Sequence, residues 1–219
     1  MKLRTLSIGN SFSQDACGYL HQIAASLNIE WECVNLYIGG CSLATHAANL
    51  ASGAEAYSLE INGAATGKTV SVNDALKDGA YDIVTLQQAS HYSGKLQTYF
   101  PYIDTLAEAV RAAQPEAKLM IHETWAYETD STHGAFPNYG CSQRRMYEFL
   151  HDAYTYAAKK IGAGMIPVGR CFAAYVWIET ICGADVRNAD YIPDGADVNT
   201  VQLLELAKNY AHEFVNRTK

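Results

Sequence analysis

Leu3–Ile8 is a short apolar run that stops at Gly9, and from Ala16 to Leu27 the apolar residues Leu20, Ile23, Ala24 and Leu27 recur at helical spacing, which predicts a helix. A second strand-like run, Glu30 to Tyr37, follows and is stopped by Gly39-Gly40. Brief apolar runs ended by turn residues read as strands buried on both faces. Strand, helix and strand in that order make a crossover unit of fixed right hand, the opening of a doubly wound sheet. Few other architectures accept such a start.

Further along, Tyr57–Ile61 and Thr69–Val72 flank the turn-rich segment 62–68, which predicts a small hairpin inserted between core elements. Strands are expected at Ile83–Gln87, Lys118–His122 and Met165–Val168, and helices at Tyr99–Ala113, Ser142–Ile161, Cys171–Ile181 and Val201–Val215. Gln114-Pro115 closes the first of these helices, because the residue before proline avoids the helical region. Asp197 and Asn199 are candidate caps for the last. The long polar and aromatic stretch from Glu123 to Gly140 has the length of a functional loop. No linker, repeat or low-complexity segment interrupts the chain, so residues 1–219 read as one α/β domain. At 219 residues it can bury roughly 70% of its unfolded surface.

The net charge of −7 is spread along the chain, and the only basic pairs are Arg144-Arg145 and Lys159-Lys160. Nucleic-acid binders cluster their Lys and Arg, so that class of partner is disfavoured. No apolar run reaches the ~20 residues of a membrane span, and no signal-like segment precedes the first strand, which makes the cytoplasm the expected location. Six scattered cysteines without a C-x-x-C pair read as small buried hydrophobes rather than as a disulfide framework or zinc cluster.

Three segments carry chemistry. Gly9-Asn10-Ser11 lies at the C-terminal end of the first strand, where open α/β sheets keep their sites and where a helix N-terminus favours developing negative charge. Ser11 is there either a nucleophile or a helix cap. Gly39-Gly40 lets backbone N–H groups approach a ligand closely, as an oxyanion hole requires, although most Gly-Gly pairs are plain turns. Gln87-Gln88 ends the third core strand, and a carboxamide donates to an oxyanion without carrying charge.

Together these segments resemble the SGNH, or GDSL-like, hydrolases. The resemblance narrows with Thr124-Trp125-Ala126-Tyr127 and Ile166-Pro167-Val168-Gly169 to the DUF4886 branch, a poorly characterised bacterial one, and it covers nearly the whole chain. It implies a three-layer α/β/α sandwich around a parallel five-stranded sheet in the flavodoxin-like order 2-1-3-4-5, with the hairpin as an insertion. It also implies a serine esterase acting on a small-molecule ester, with an acylated carbohydrate as one candidate, and no metal or cofactor. Ser11 takes the nucleophile's place, in Gly-Asn-Ser rather than the commoner Gly-Asp-Ser. Gly40 and Gln88 take the oxyanion roles, with Gln87 as the neighbouring possibility. Trp125, Tyr127 and His91 fall among substrate-binding positions. Phe136, Tyr139, Tyr92 and Tyr99 are further aromatic side chains expected around the pocket mouth.

The chain departs from the family at its base. SGNH enzymes carry Asp-x-x-His after the fifth strand, whereas Gly169 here runs straight into Arg170-Cys171-Phe172, a segment that follows the histidine in the resembled family. The intervening block is missing. Asp194-Gly195-Ala196-Asp197 has the spacing but ends in aspartate. Asp130-Ser131-Thr132-His133, in the long loop, is the one literal Asp-x-x-His. His133 oriented by Asp130 is therefore the candidate base, against the plainer reading of His133 as a loop residue. The rival expectation for the whole chain is a catalytically impaired SGNH scaffold, either a binding module or a truncated gene product.

Overall fold

The computed structural model describes residues 1–167 and 173–217. Its first elements are β1 (Lys2–Gly9), α1 (Ser11–Gly18), α2 (Leu20–Ser26), β2 (Glu30–Tyr37) and α3 (Leu43–Ser52). Next come β3 (Tyr57–Ile61), β4 (Ala64–Val70), α4 (Val72–Ala75), β5 (Ile83–Leu86), α5 (Tyr102–Ala113) and β6 (Lys118–His122). The chain continues with α6 (Gln143–Ile161), β7 (Gly164–Ile166), α7 (Ala173–Cys182) and α8 (Val198–Arg217). Val168 of the expected last strand, Cys171 of the expected helix and the junction at Gly169 lie outside the described residues.

The core strands run parallel in the order β2-β1-β5-β6-β7, which is the expected 2-1-3-4-5 arrangement. Among the described residues, however, the sheet has seven strands, not five. The hairpin is present, but its second strand is Ala64–Val70 rather than Thr69–Val72, since Asn62-Gly63 alone makes the turn, and β3 pairs antiparallel to β2, with Val34 opposite Ile61 and Tyr37 opposite Ser58. β4 then forms the outer edge. The physical reason is that β2 would otherwise expose a row of unpaired backbone groups. The hairpin turn is fastened by Asn62, whose N–H donates to Cys33 O at 2.8 Å and whose Oδ1 accepts from Cys33 N at 2.9 Å. Gly63, at φ +77°, sits so close to Gly18 that an added Cβ would collide with the Gly18 carbonyl.

Helices cover both faces of the sheet. Leu6, Ile8, Leu36, Val84, Leu86 and Ile121 point toward Leu43 of α3, Ile103 and Leu106 of α5, and Met146 and Leu150 of α6. Cys33, Ile83, Met120 and Ile166 point the other way, toward α1, α2, α7 and α8. Each fully buried Leu or Ile contributes roughly 1.5–3 kcal/mol, so these two layers outweigh exposed ion pairs such as Lys2–Glu30. The single helix expected from Ala16 to Leu27 is two helices, α1 and α2, parted at the exposed Tyr19. α3 arises from a segment with no helix expectation. On the second face α7 and α8 are joined by buried Glu179, whose Oε1 lies 2.7 Å from His212 Nδ1 and accepts from Asn216 Nδ2 at 3.0 Å. Asp197 caps α8 by accepting from Thr200 N at 2.7 Å. No helix among the described residues is long and apolar enough to cross a membrane.

Candidate active site

The site is built at the C-terminal ends of β1, β2 and β5, where three loops meet. One side chain joins them. Asn10 is 1% exposed; its Nδ2 donates to Cys41 O at 3.1 Å and to Gln88 O at 3.3 Å, and its Oδ1 accepts from Phe12 N at 3.2 Å. Asn10 therefore caps α1 while holding the Gly39-Gly40 turn and the Gln87-Gln88 segment against it. Sequence reasoning assigned Asn10 no role. Its position directly before the candidate nucleophile was the available signal.

With Asn10 as the cap, Ser11 is released from that duty. Ser11 is the first residue of α1 and exposed, and its hydroxyl bonds to no described group. The helix N-terminus beside it stabilises negative charge. Gly9 must lack a side chain, because a Cβ there would collide with Ser13 Oγ and lie 3.1 Å from Gln87 Oε1. Gly40 is exposed and adopts φ +64°, a conformation that favours glycine. A hydrogen bond from Cys41 N to Ile38 O at 3.2 Å closes its turn. Behind the turn, buried His46 pairs with the Tyr57 hydroxyl at 2.9 Å, and burial pushes its imidazole down to about 3. His46 thus supports the turn from within the core.

The two glutamines have unequal surroundings. Gln88 is fully buried and saturated: Nε2 donates to Thr98 O and Oγ1, both at 3.1 Å, while Oε1 accepts from Leu43 N at 3.0 Å and Ala89 N at 2.8 Å. Its amide hydrogens, expected at an oxyanion, are taken by Thr98. Gln87 turns to the opposite face, as alternate residues of a strand do, and its Nε2 meets His122 Nδ1 at 2.8 Å. Burial drives His122 down to about 3, so it stays neutral.

The candidate base pair is not assembled. His133 is exposed, its Nδ1 accepts from Ala135 N at 3.1 Å, and its Nε2 faces the Tyr127 hydroxyl at 3.4 Å. A neutral imidazole that accepts at Nδ1 carries its proton on Nε2, the nitrogen a serine would need free. Asp130 is exposed and makes no hydrogen bond to His133. His133 instead belongs to a loop cluster. Its ring packs on Tyr127 at 4.4 Å, and Tyr127 shares a hydrogen bond of 2.9 Å with Ser90. His91 lies nearby, lowered by burial first and then by the His133 and Lys95 charges.

Trp125 packs beside the start of α1. Its ring lies 4.1 Å from that of Phe12, the residue after Ser11. Trp125 and Tyr127 wall a cleft of about 480 Å³ whose rim includes Glu128, Asp130 and Ser131. Of the aromatic residues expected at a pocket mouth, Tyr99, Phe136 and Tyr139 are instead in the core, at most 2% exposed. They hold the loops from beneath: Tyr99 donates to Ser93 O at 2.6 Å, and the Tyr139 hydroxyl accepts from Gly94 N at 3.1 Å. A more apolar cavity of about 350 Å³ lies at the far end of α1, between Tyr19, Tyr191 and Leu203.

Residues 4–167 match the model of a domain of unknown function, DUF4886. A DUF4886 family protein from Bacteroides uniformis is 31% identical and superposes with a TM-score of 0.90, over 98% of this chain and 95% of that one. A candidate SGNH hydrolase from Slackia heliotrinireducens is 25% identical, with a TM-score of 0.55 over 98% of this chain and all of that one. The esterase EstA from Pseudoalteromonas shares the fold at 10% identity, with a TM-score of 0.51 over 98% and 97% of the two chains. No curated protein matches the sequence. The order of strands, the three loops they bring together and these matches agree, and the chain belongs to the DUF4886 family on the fold of the SGNH hydrolases.

Proposed function

We propose that this protein is a serine ester hydrolase with Ser11 as nucleophile. The observation that carries the reading is the division of labour between neighbours: Asn10 caps α1 and joins the three loops, leaving Ser11 exposed at the helix N-terminus with its hydroxyl bonded to no described group. Ser11 Oγ attacks the acyl carbonyl. The oxyanion is met by the Gly40 N–H and by the N-terminal end of α1, donors that need no reorganisation as charge develops. Gln88 positions the Gly40 turn through Leu43 rather than donating directly. Trp125 and Tyr127 present the ring faces against which a sugar or other flat ester stacks, so an acylated carbohydrate suits the cleft.

Among the described residues no group accepts a hydrogen bond from the Ser11 hydroxyl. His133 serves as base only after its Nδ1 gives up the Ala135 N–H, and Asp130 then has to swing in to orient it. Loss of a triad base leaves oxyanion stabilisation and binding, which together still exceed the uncatalysed rate by roughly 10³–10⁴. Slow turnover is the expected result. The same observation favours a second reading, a scaffold that binds acyl-bearing ligands without turnover.

Fluorophosphonate labelling followed by peptide mass spectrometry separates the two. Covalent labelling at Ser11, lost in Ser11→Ala together with hydrolysis of p-nitrophenyl acetate, is the expected outcome. A folded protein that is unlabelled at Ser11, or hydrolysis that is unchanged in Ser11→Ala, rejects the hydrolase reading in favour of the scaffold.

A further inference from the structure

Away from the site, the sulfurs of Cys17 on α1 and Cys33 on β2 face each other at 2.6 Å. That is well inside the distance at which two unbonded sulfur atoms rest, and about half an ångström longer than a disulfide bond. Both residues are 0% exposed, packed among Leu20, Trp31 and Trp177 on the second face of the sheet. Besides its partner sulfur, Cys17 Sγ meets one polar group among the described residues, the Ser7 hydroxyl at 3.8 Å. One buried thiol is an ordinary small hydrophobe. Two thiols directed at each other in a dry contact are arranged for a bond.

We propose that Cys17 and Cys33 form an intramolecular disulfide as the chain folds, with a low-molecular-weight disulfide as oxidant. One cysteine thiolate attacks the oxidant's sulfur and releases the first small thiol. The second cysteine thiolate then attacks the mixed disulfide and releases the other. Two cysteine thiols and one small disulfide become one protein disulfide and two small thiols, and the two protons leave with the released thiolates. Exchange needs a thiolate and access. The hydrogen bond with Cys33, and then burial, push the Cys17 thiol well above its usual range, so the reaction belongs to the folding chain rather than to the closed core. Once formed, the bond is shielded from reductants by the same packing. It fixes α1, which begins at Ser11, to β2, which runs into the Gly39-Gly40 turn.

The test is to reduce and unfold the whole protein, refold it with oxidised and reduced glutathione, alkylate free thiols and map the peptides without reduction. A Cys17–Cys33 cross-linked peptide and a mass lower by two hydrogens are expected. The oxidised protein should melt roughly 5–12 °C above the reduced protein, as befits a bridge closing a loop of this length, and Cys33→Ala should abolish the difference. Alkylation of both Cys17 and Cys33 in protein that has regained its circular dichroism overturns the proposal, as does pairing of either with the exposed Cys141 instead. Should refolding fail, the same mapping on protein expressed in an oxidising folding compartment reads the same outcomes.

Discussion

Replacing Asn10 with alanine removes one cap and two donated hydrogen bonds from a residue that is 1% exposed. The cap is worth about 1 kcal/mol, within a range of about 0.5–2. Each donated bond contributes on the order of 1 kcal/mol net. The two do not weigh equally, because Gln88 O keeps a second partner in the Tyr154 hydroxyl at 3.4 Å, whereas Cys41 O loses its side-chain donor. Together these give a loss of about 2–4 kcal/mol, or a fall in Tm of roughly 4–16 °C for a chain of this size. Urea denaturation followed by far-UV circular dichroism reads it as a lower midpoint at constant m. Asn10→Asp sharpens the argument. It keeps an acceptor for Phe12 N but sets a carboxylate oxygen against two carbonyl oxygens, so at pH 8 it should lose at least as much. It should recover in part in acid, where a protonated carboxyl can donate to one of them: the folded-state pKa is raised, and stability falls as pH rises through that window. A cost under about 1 kcal/mol for both variants would refute the claim that Asn10 holds the three loops together.

Other expectations rest on separate features. Gly40→Ala meets open space but must hold φ +64°, so its stability cost is limited to about 1–2 kcal/mol of backbone strain, while ester hydrolysis falls tenfold or more; comparing kcat with the urea midpoint checks this. Gly63→Ala should cost about 2 kcal/mol more than Gly67→Ala in paired melts, because both have φ near +75° but only Gly63 abuts the Gly18 backbone. His46 and His122, each pushed to about 3 by burial, bind protons in the unfolded chain before the folded one. Their contribution is complete above the ordinary value of 6.5 and is lost as pH falls from there toward 3, with a slope approaching about 2.7 kcal/mol per pH unit near pH 5 in denaturation series. His151 has the opposite sign. Its hydrogen bond to Glu123 raises it, so its smaller contribution is present below 6.5 and fades as pH rises through the folded value; Glu123→Gln should lower its NMR titration midpoint.

The parallel core was legible because short apolar runs ending in glycine leave few alternatives, and Glu30–Tyr37 and Lys118–His122 fall where the pattern puts them. The attachment of the hairpin to the sheet was not, since a strand's partner is a tertiary fact. α3 was hidden because Gly39-Gly40 was read as a strand-ending turn with no element assigned after it, although Ser42 caps the helix by accepting from Thr45 N at 3.2 Å. At the site, residue types and strand ends were readable, but hydrogen bonding was not. Nothing in Gln87-Gln88 reveals that Thr98, ten residues away, takes up the Gln88 amide hydrogens, or that His133 accepts from its own loop.

The hairpin that widens the sheet also governs how copies of the chain meet at high concentration. One border of the sheet is now β4, a solvent-exposed strand containing Gly67 and Lys68, and the other is the three-residue β7. Neither offers a long, flat, apolar row of free backbone groups to a neighbour. Growth by strand addition is discouraged at both borders, so self-association in a crowded solution has to proceed through side chains. The apolar residues that α8 leaves exposed, Leu203, Leu206 and Tyr210, are the surface on which it would begin.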